Sequence, residues 1–116
     1  ADVNGLRVVA ARVAAEGRDA LLALGDHVRD RLGRLGVVVL GAEWEGKATL
    51  LVSLTPDLVA AKRLHAGDLV KALAAQVGGR GGGKPNTAQA GLPDVASLEG
   101  ALAAAVAAVK GSDKGI

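Results

Sequence analysis

Five of the six residues from Gly78 to Gly83 are glycine, and Arg80 is the sixth. Glycine loses more backbone entropy on folding than any other residue and contributes no side chain to a core. A run this dense cannot be an ordinary helix or a packed strand. It either stays loose or exists because something must come close to the backbone. Arg80 sits inside the run and Lys84 follows it, so bare amides lie beside positive charge. That combination suits an anion, and phosphates and nucleic acids are the common large ones.

The rest of the chain can build a core around such a segment. Half of its 116 residues are apolar, drawn almost entirely from Ala, Val and Leu, with Trp44 the only aromatic. Small side chains call for close approach of the elements they join. Without cysteine there are no disulfides, thiolate metal sites or cysteine nucleophiles. No apolar run reaches the roughly 18 residues of a spanning helix, and no secretory leader opens the chain. The start at Ala1 without a methionine suggests a piece of a longer protein, and a cytoplasmic location is expected. The 14 cations against 12 anions are too balanced to argue for nucleic acid by themselves, so the argument rests on where the cations sit.

Periodicity divides the chain. Leu6 to Val13 reads as a strand. Leu21, Leu24, Val28, Leu32 and Leu35 recur at helical spacing, ended by Gly33 or Gly36. Val37 to Leu40 is an apolar run, as for a strand covered on both faces. A turn over 43–47 leads to a second strand over 48–54, which predicts a hairpin. Thr55 is a candidate N-cap with Pro56 at N1. A helix opens at Gly67-Asp68 with Leu69, Val70, Leu73, Ala74 and Val77 on its apolar face, and Gly78 is placed at its C′ position. The glycine run is expected as a loop, followed by a short strand over 87–91. Asp94 or Ser97 caps a last helix carrying Val95, Leu98, Leu102, Val106 and Val109. The expected fold is α/β (α+β): one mixed sheet with helices packed on it, and a Gly-rich loop between the penultimate helix and a short strand. A globular domain is expected over 1–110 and a flexible tail over 111–116.

The string His65-Ala66-Gly67-Asp68-Leu69-Val70-Lys71, then Gly78-Gly79-Arg80-Gly81-Gly82-Gly83-Lys84-Pro85-Asn86-Thr87-Ala88-Gln89-Ala90-Gly91, closely resembles the C-terminal globular domain of bacterial alanyl-tRNA synthetase. That domain is part of the wider family found at the C-terminus of DHH-type phosphoesterases. The phosphoesterase branch typically has His directly after Gly-Gly-Gly. Here Lys84 and Pro85 stand there, as in the synthetase branch. Leu92-Pro93 departs from the further glycine that many synthetases carry after Gly91.

The resemblance implies a tRNA-binding module of an alanine–tRNA ligase. It would contact the outer corner of tRNA, the elbow, and help one tRNA serve both charging and editing. It implies no catalytic residue, cofactor or metal in this fragment, an enzyme only as the parent protein, and no membrane partner. Partners would be tRNA, tRNA-Ala above all, the upstream domains of the same synthetase, and a second copy in some members. Candidate contact residues are Gly78, Gly79, Arg80, Gly81, Gly82, Gly83 and Lys84, with Asn86 and Gln89 as hydrogen-bonding groups. Lys62, Arg63 and Lys71 could extend the positive surface, although each could equally be a solvated helix face. His65 could touch RNA or orient the loop. A nucleotide-binding P-loop is disfavoured, because Pro85 occupies the place of its Ser or Thr. Two separate His residues, His27 and His65, make a poor metal site. The competing functions are the substrate-binding tail of a phosphoesterase or of a free-standing alanyl-tRNA editing hydrolase, and a homodimerisation domain using the last helix.

Overall fold

The computed structural model describes residues 2–3 and 5–113. Its centre is one six-stranded mixed sheet in the order β1-β2-β3-β4-β6-β5. Strands β1 (Asp2–Val3), β2 (Leu6–Arg12), β3 (Gly36–Trp44) and β4 (Lys47–Leu54) supply four of them. Helix α1 (Arg18–Leu32) carries the chain from β2 across to β3, which run parallel. β3 and β4 form the expected hairpin, but with longer strands. Its turn shrinks to Glu45-Gly46, at φ 53° and 73°. This is the left-handed pair that a two-residue turn needs to match strand twist.

The two faces of β3 explain its unbroken apolar run. Val38, Leu40 and Ala42 pack towards α1, whereas Val37 and Val39 belong to the larger core on the other face. Leu21, Leu24, Val28 and Leu32 of α1 cover the first face, as their spacing predicts. Gly25 lets α1 lie close, since a Cβ there would run into the Leu51 side chain. Trp44 belongs to this layer, half-buried at the end of β3.

After Gly33, at φ 77°, the chain turns through Leu35, at φ 52°, an unusual conformation for a branched residue. The Asp57 carboxylate accepts from the Leu35 amide at 2.9 Å and holds this turn. Thr55 does not cap helix α2 (Pro56–Ala60) with its side chain. Its buried hydroxyl instead accepts from the Gly36 amide at 3.1 Å, tying the start of β3 to the end of β4.

Burial pushes the Asp57 carboxyl up, but the Thr55 hydroxyl, the Leu35 amide, its own amide and the Arg34 charge outweigh that, leaving it below the usual range. A depressed folded pKa stabilises above the unfolded value and loses that contribution as pH falls through the folded one. Asp57→Asn should therefore cost about 1 kcal/mol at neutral pH. The difference in thermal midpoint from the parent chain should narrow as pH falls below about 4. Melting curves from pH 7 to pH 3 test this, and a constant gap would exclude an ionised Asp57 as the clamp.

The second face is covered by α3 (Ala66–Ala75), α4 (Ala96–Ala103) and α5 (Ala105–Ser112). Gly41 of β3 admits α4, since a Cβ there would stand 2.7 Å from Leu98 Cδ2. Asp94 starts the last helical stretch, accepting from the Ser97 amide and hydroxyl, each at 2.8 Å. The stretch is interrupted only at Ala104. Leu102 packs partly on the core, while Val106 stays 37% exposed.

One expectation changes here. The glycine run is not a loop: Arg80–Gly83 is strand β5, paired antiparallel with β6 (Thr87–Leu92) at the edge of the sheet. Helix α5 reaches Ser112, and Arg63 donates from Nε and Nη2 to the two Asp113 carboxylate oxygens, at 3.1 and 2.8 Å. Residues 114–116 of the expected tail lie outside the described residues. No helix among the described residues is long and apolar enough to cross a membrane.

Candidate nucleic-acid interface

Four of the five glycines in the run answer to packing or backbone geometry. Gly78, at φ 80°, takes the left-handed position expected after a helix. The Gly79 amide donates to Ala74 O at 2.8 Å and the Gly78 amide to Ala75 O at 3.4 Å, which is the Schellman pattern. A Cβ on Gly79 would come within 2.6 Å of Gly91 O. One on Gly81 would overlap Ala90, and Gly83 combines φ 154° with a would-be contact of 2.9 Å to the Ala88 Cβ. These glycines let β5 lie against β6 more closely than paired side chains permit. Gly82 differs: it is exposed, and a Cβ there meets nothing within 4 Å. Backbone freedom at Gly82 is not consumed by the fold.

The β5–β6 hairpin is tied to α3 through its turn. The Ala66 and Gly67 amides donate to Pro85 O and Lys84 O, at 2.8 and 3.1 Å. His65 caps α3, its Nδ1 accepting from the Asp68 amide at 3.1 Å. The first amides of α3 are thus already occupied, so any anion at this edge must be held by side chains and strand backbone. Asn86 O accepts from the Leu54 amide at 2.9 Å, which fastens the turn to β4 and leaves Asn86 exposed. Because β5 ends the sheet, one row of its backbone polar groups has no strand partner.

The candidate residues divide between two sides of this hairpin. Alternation puts Ala88, Ala90 and Leu92 of β6 in the core, and Thr87, Gln89 and Gly91 on the α1 side. Arg80 pairs with Gly91 and Gly82 with Gln89, so both share that side. Arg80 and Lys84 stand at opposite ends of β5, roughly 13 Å apart along the strand. On the α3 side, Lys62, His65 and Pro85 line a cavity of about 570 Å3. Lys62 is exposed in a turn at φ 56°, and Lys71 is exposed on α3. Arg63, expected on the positive surface, is instead engaged by Asp113 and only 17% exposed.

The α1 side carries a groove of about 380 Å3, with Arg18, Asp19 and Leu22 on one wall and Gly82, Lys84, Thr87 and Gln89 on the other. Arg18 Nε donates to Gln89 Oε1 at 3.2 Å, and Gln89 Nε2 donates to Arg18 O at 3.5 Å. Sequence reasoning missed Arg18, Asp19 and Thr87. No local pattern connects the first turn of α1 with a strand about 70 positions later. Among the described residues, no three His, Cys, Asp or Glu side chains cluster as metal ligands.

The DHHA1 domain family matches residues 5–111. The chain is 61% identical over 101 residues to an alanine–tRNA ligase of Anaeromyxobacter dehalogenans, covering 87% of this chain and 11% of that protein. It is 47% identical over 110 residues to the corresponding ligase of Myxococcus xanthus, covering 95% of this chain and 12% of that one. It therefore spans only 11–12% of the length of these relatives. In fold it is similar to the C-Ala domain from Aquifex aeolicus alanyl-tRNA synthetase, with a TM-score of 0.82 at 16% identity over 95% of this chain and 96% of that one.

Proposed function

The chain belongs to the DHHA1 domain family, and from that membership we propose that it is the tRNA-binding C-terminal module of an alanine–tRNA ligase. The observation that carries this reading is the 61% identity to such a ligase across 87% of the chain. The geometry agrees with it. The hairpin ends the sheet, its Gly82 backbone is open, and Arg80 and Lys84 bracket it. A flat, rigid RNA surface can approach such a strand without meeting a side chain, while the two cations take separate phosphates. The elbow of tRNA offers that surface, and holding it would let one tRNA serve both charging and editing sites. The module performs no chemistry and needs no cofactor. It works in the cytoplasm, with the ligase's other domains supplying catalysis. For dimerisation the last helix offers a mate only Val106 among large apolar side chains.

Gel shifts comparing whole tRNA-Ala with its acceptor minihelix test the reading. Whole tRNA should bind more tightly, with affinity falling steeply with salt. Equal affinity for the two RNAs would remove the elbow. Gly82→Val fills open space at an exposed strand position, so stability should stay within about 0.5 kcal/mol of the parent. It should nevertheless weaken tRNA binding about tenfold by blocking close approach, a loss of about 1.4 kcal/mol. Unchanged affinity would take β5 out of the interface.

A further inference from the structure

The α1-side groove has the composition of a nucleotide subsite. Thr87 pairs across β6 and β4 with Ser53, and both hydroxyl oxygens are buried without a hydrogen-bond partner. Buried hydroxyls without partners are costly, and they favour a ligand that can satisfy them. Thr87 lines the groove, where the Gln89 carboxamide is already oriented by Arg18. Arg18 and Lys84 stand on opposite walls, and among the described residues Asp19 is the only acid lining the groove. Two cations lining one groove suit a phosphate. A carboxylate beside them disfavours a second phosphate but accepts well from ribose hydroxyls.

Resting on the tRNA-binding reading above, we infer that this groove holds one ribonucleotide of the bound RNA, turned in from the strand that crosses the hairpin. Its phosphate lies between Arg18 and Lys84, its 2′-hydroxyl meets Asp19 and Thr87, and its base edge meets Gln89. Helix α1 thereby becomes part of the RNA surface, and the site distinguishes ribose from deoxyribose.

The test is tRNA binding by fluorescence anisotropy at two salt concentrations, with thermal melts confirming that each variant folds. Arg18→Gln should weaken binding about fivefold and reduce the slope of log affinity against log salt by about one. Thr87→Val should weaken it about threefold and leave the slope unchanged, because it removes no charge. Amide shifts should respond at Thr87 and Gln89 more to cytidine 5′-monophosphate than to its 2′-deoxy form. If Lys84→Ala weakens binding while Arg18→Gln and Thr87→Val match the parent chain, the groove is not a subsite and the hairpin reading survives. Equal amide shifts from the two nucleotides overturn the ribose assignment. If the parent chain fails to bind tRNA, both readings fall.

Discussion

Replacing Gly81 with valine should lower the stability of the chain by about 2–3 kcal/mol, the upper range for overpacking a site that cannot relax. A Cβ at Gly81 would lie 2.5 Å from the Ala90 Cα and 2.8 Å from Gln89 O. These are main-chain atoms of a strand that pairs with β4 on its other edge, so they cannot turn aside. The strand would have to separate from β6. Gly82→Val, one residue away, meets open space and serves as the control. Chemical denaturation of the two variants should give well-separated midpoints, with Gly82→Val beside the parent. Coincident midpoints would mean that close strand approach is not what requires glycine at position 81. The consequence reaches binding as well, because β5 holds Gly82 and Lys84 in place. Gly81→Val should lose tRNA affinity together with its fold, whereas Gly82→Val should lose affinity alone.

Removing the Arg63 guanidinium should cost about 2 kcal/mol, on the scale of a covered charge losing its main partner. The Asp113 side chain is fully covered, and Arg63 meets it with a two-point fork. Asp113 in turn keeps the guanidinium charged, raising it above its ordinary value through that hydrogen bond. Arg63→Ala removes both donors of the fork from the covered carboxylate, and the end of α5 should loosen from the turn after α2. Arg63→Lys keeps the charge but cannot present the fork, so it should fall between the two. Hydrogen exchange should show faster exchange in the last turn of α5, with a thermal midpoint lower by roughly 8 °C. An Arg63→Ala chain that melts with the parent would show that the pair is not a clamp.

Much of the scaffold was readable because its signals are local. The spacing of Leu21, Leu24, Val28 and Leu32 places them on one helix face, and these residues do cover the sheet. Val37 to Leu40 needs apolar cover on both sides, which α1 and the other helices provide. Gly78 sits where a helix must reverse its backbone, and that chemistry is written within five residues. The glycine run reads as a loop but forms a strand, because glycine has no strand preference of its own for the sequence to display. Ala88 and Ala90 of β6 leave room for β5 only because glycine stands opposite them, at positions 83 and 81. Thr55 fitted the pattern of a helix cap, yet its hydroxyl was claimed by Gly36, 19 residues earlier.

The sequence by itself determined the helices, the central hairpin and the presence of a backbone-exposing, cation-flanked segment, since each depends on residues within a few positions of one another. Only the tertiary structure decided which glycine of the run stays open, that Arg63 is engaged by Asp113, and that Arg18 stands over Gln89. Those outcomes depend on contacts between residues 50 and 71 positions apart for Arg63 with Asp113 and Arg18 with Gln89. No short-range pattern encodes them, because the chain brings such residues together only when the sheet and both helical layers close.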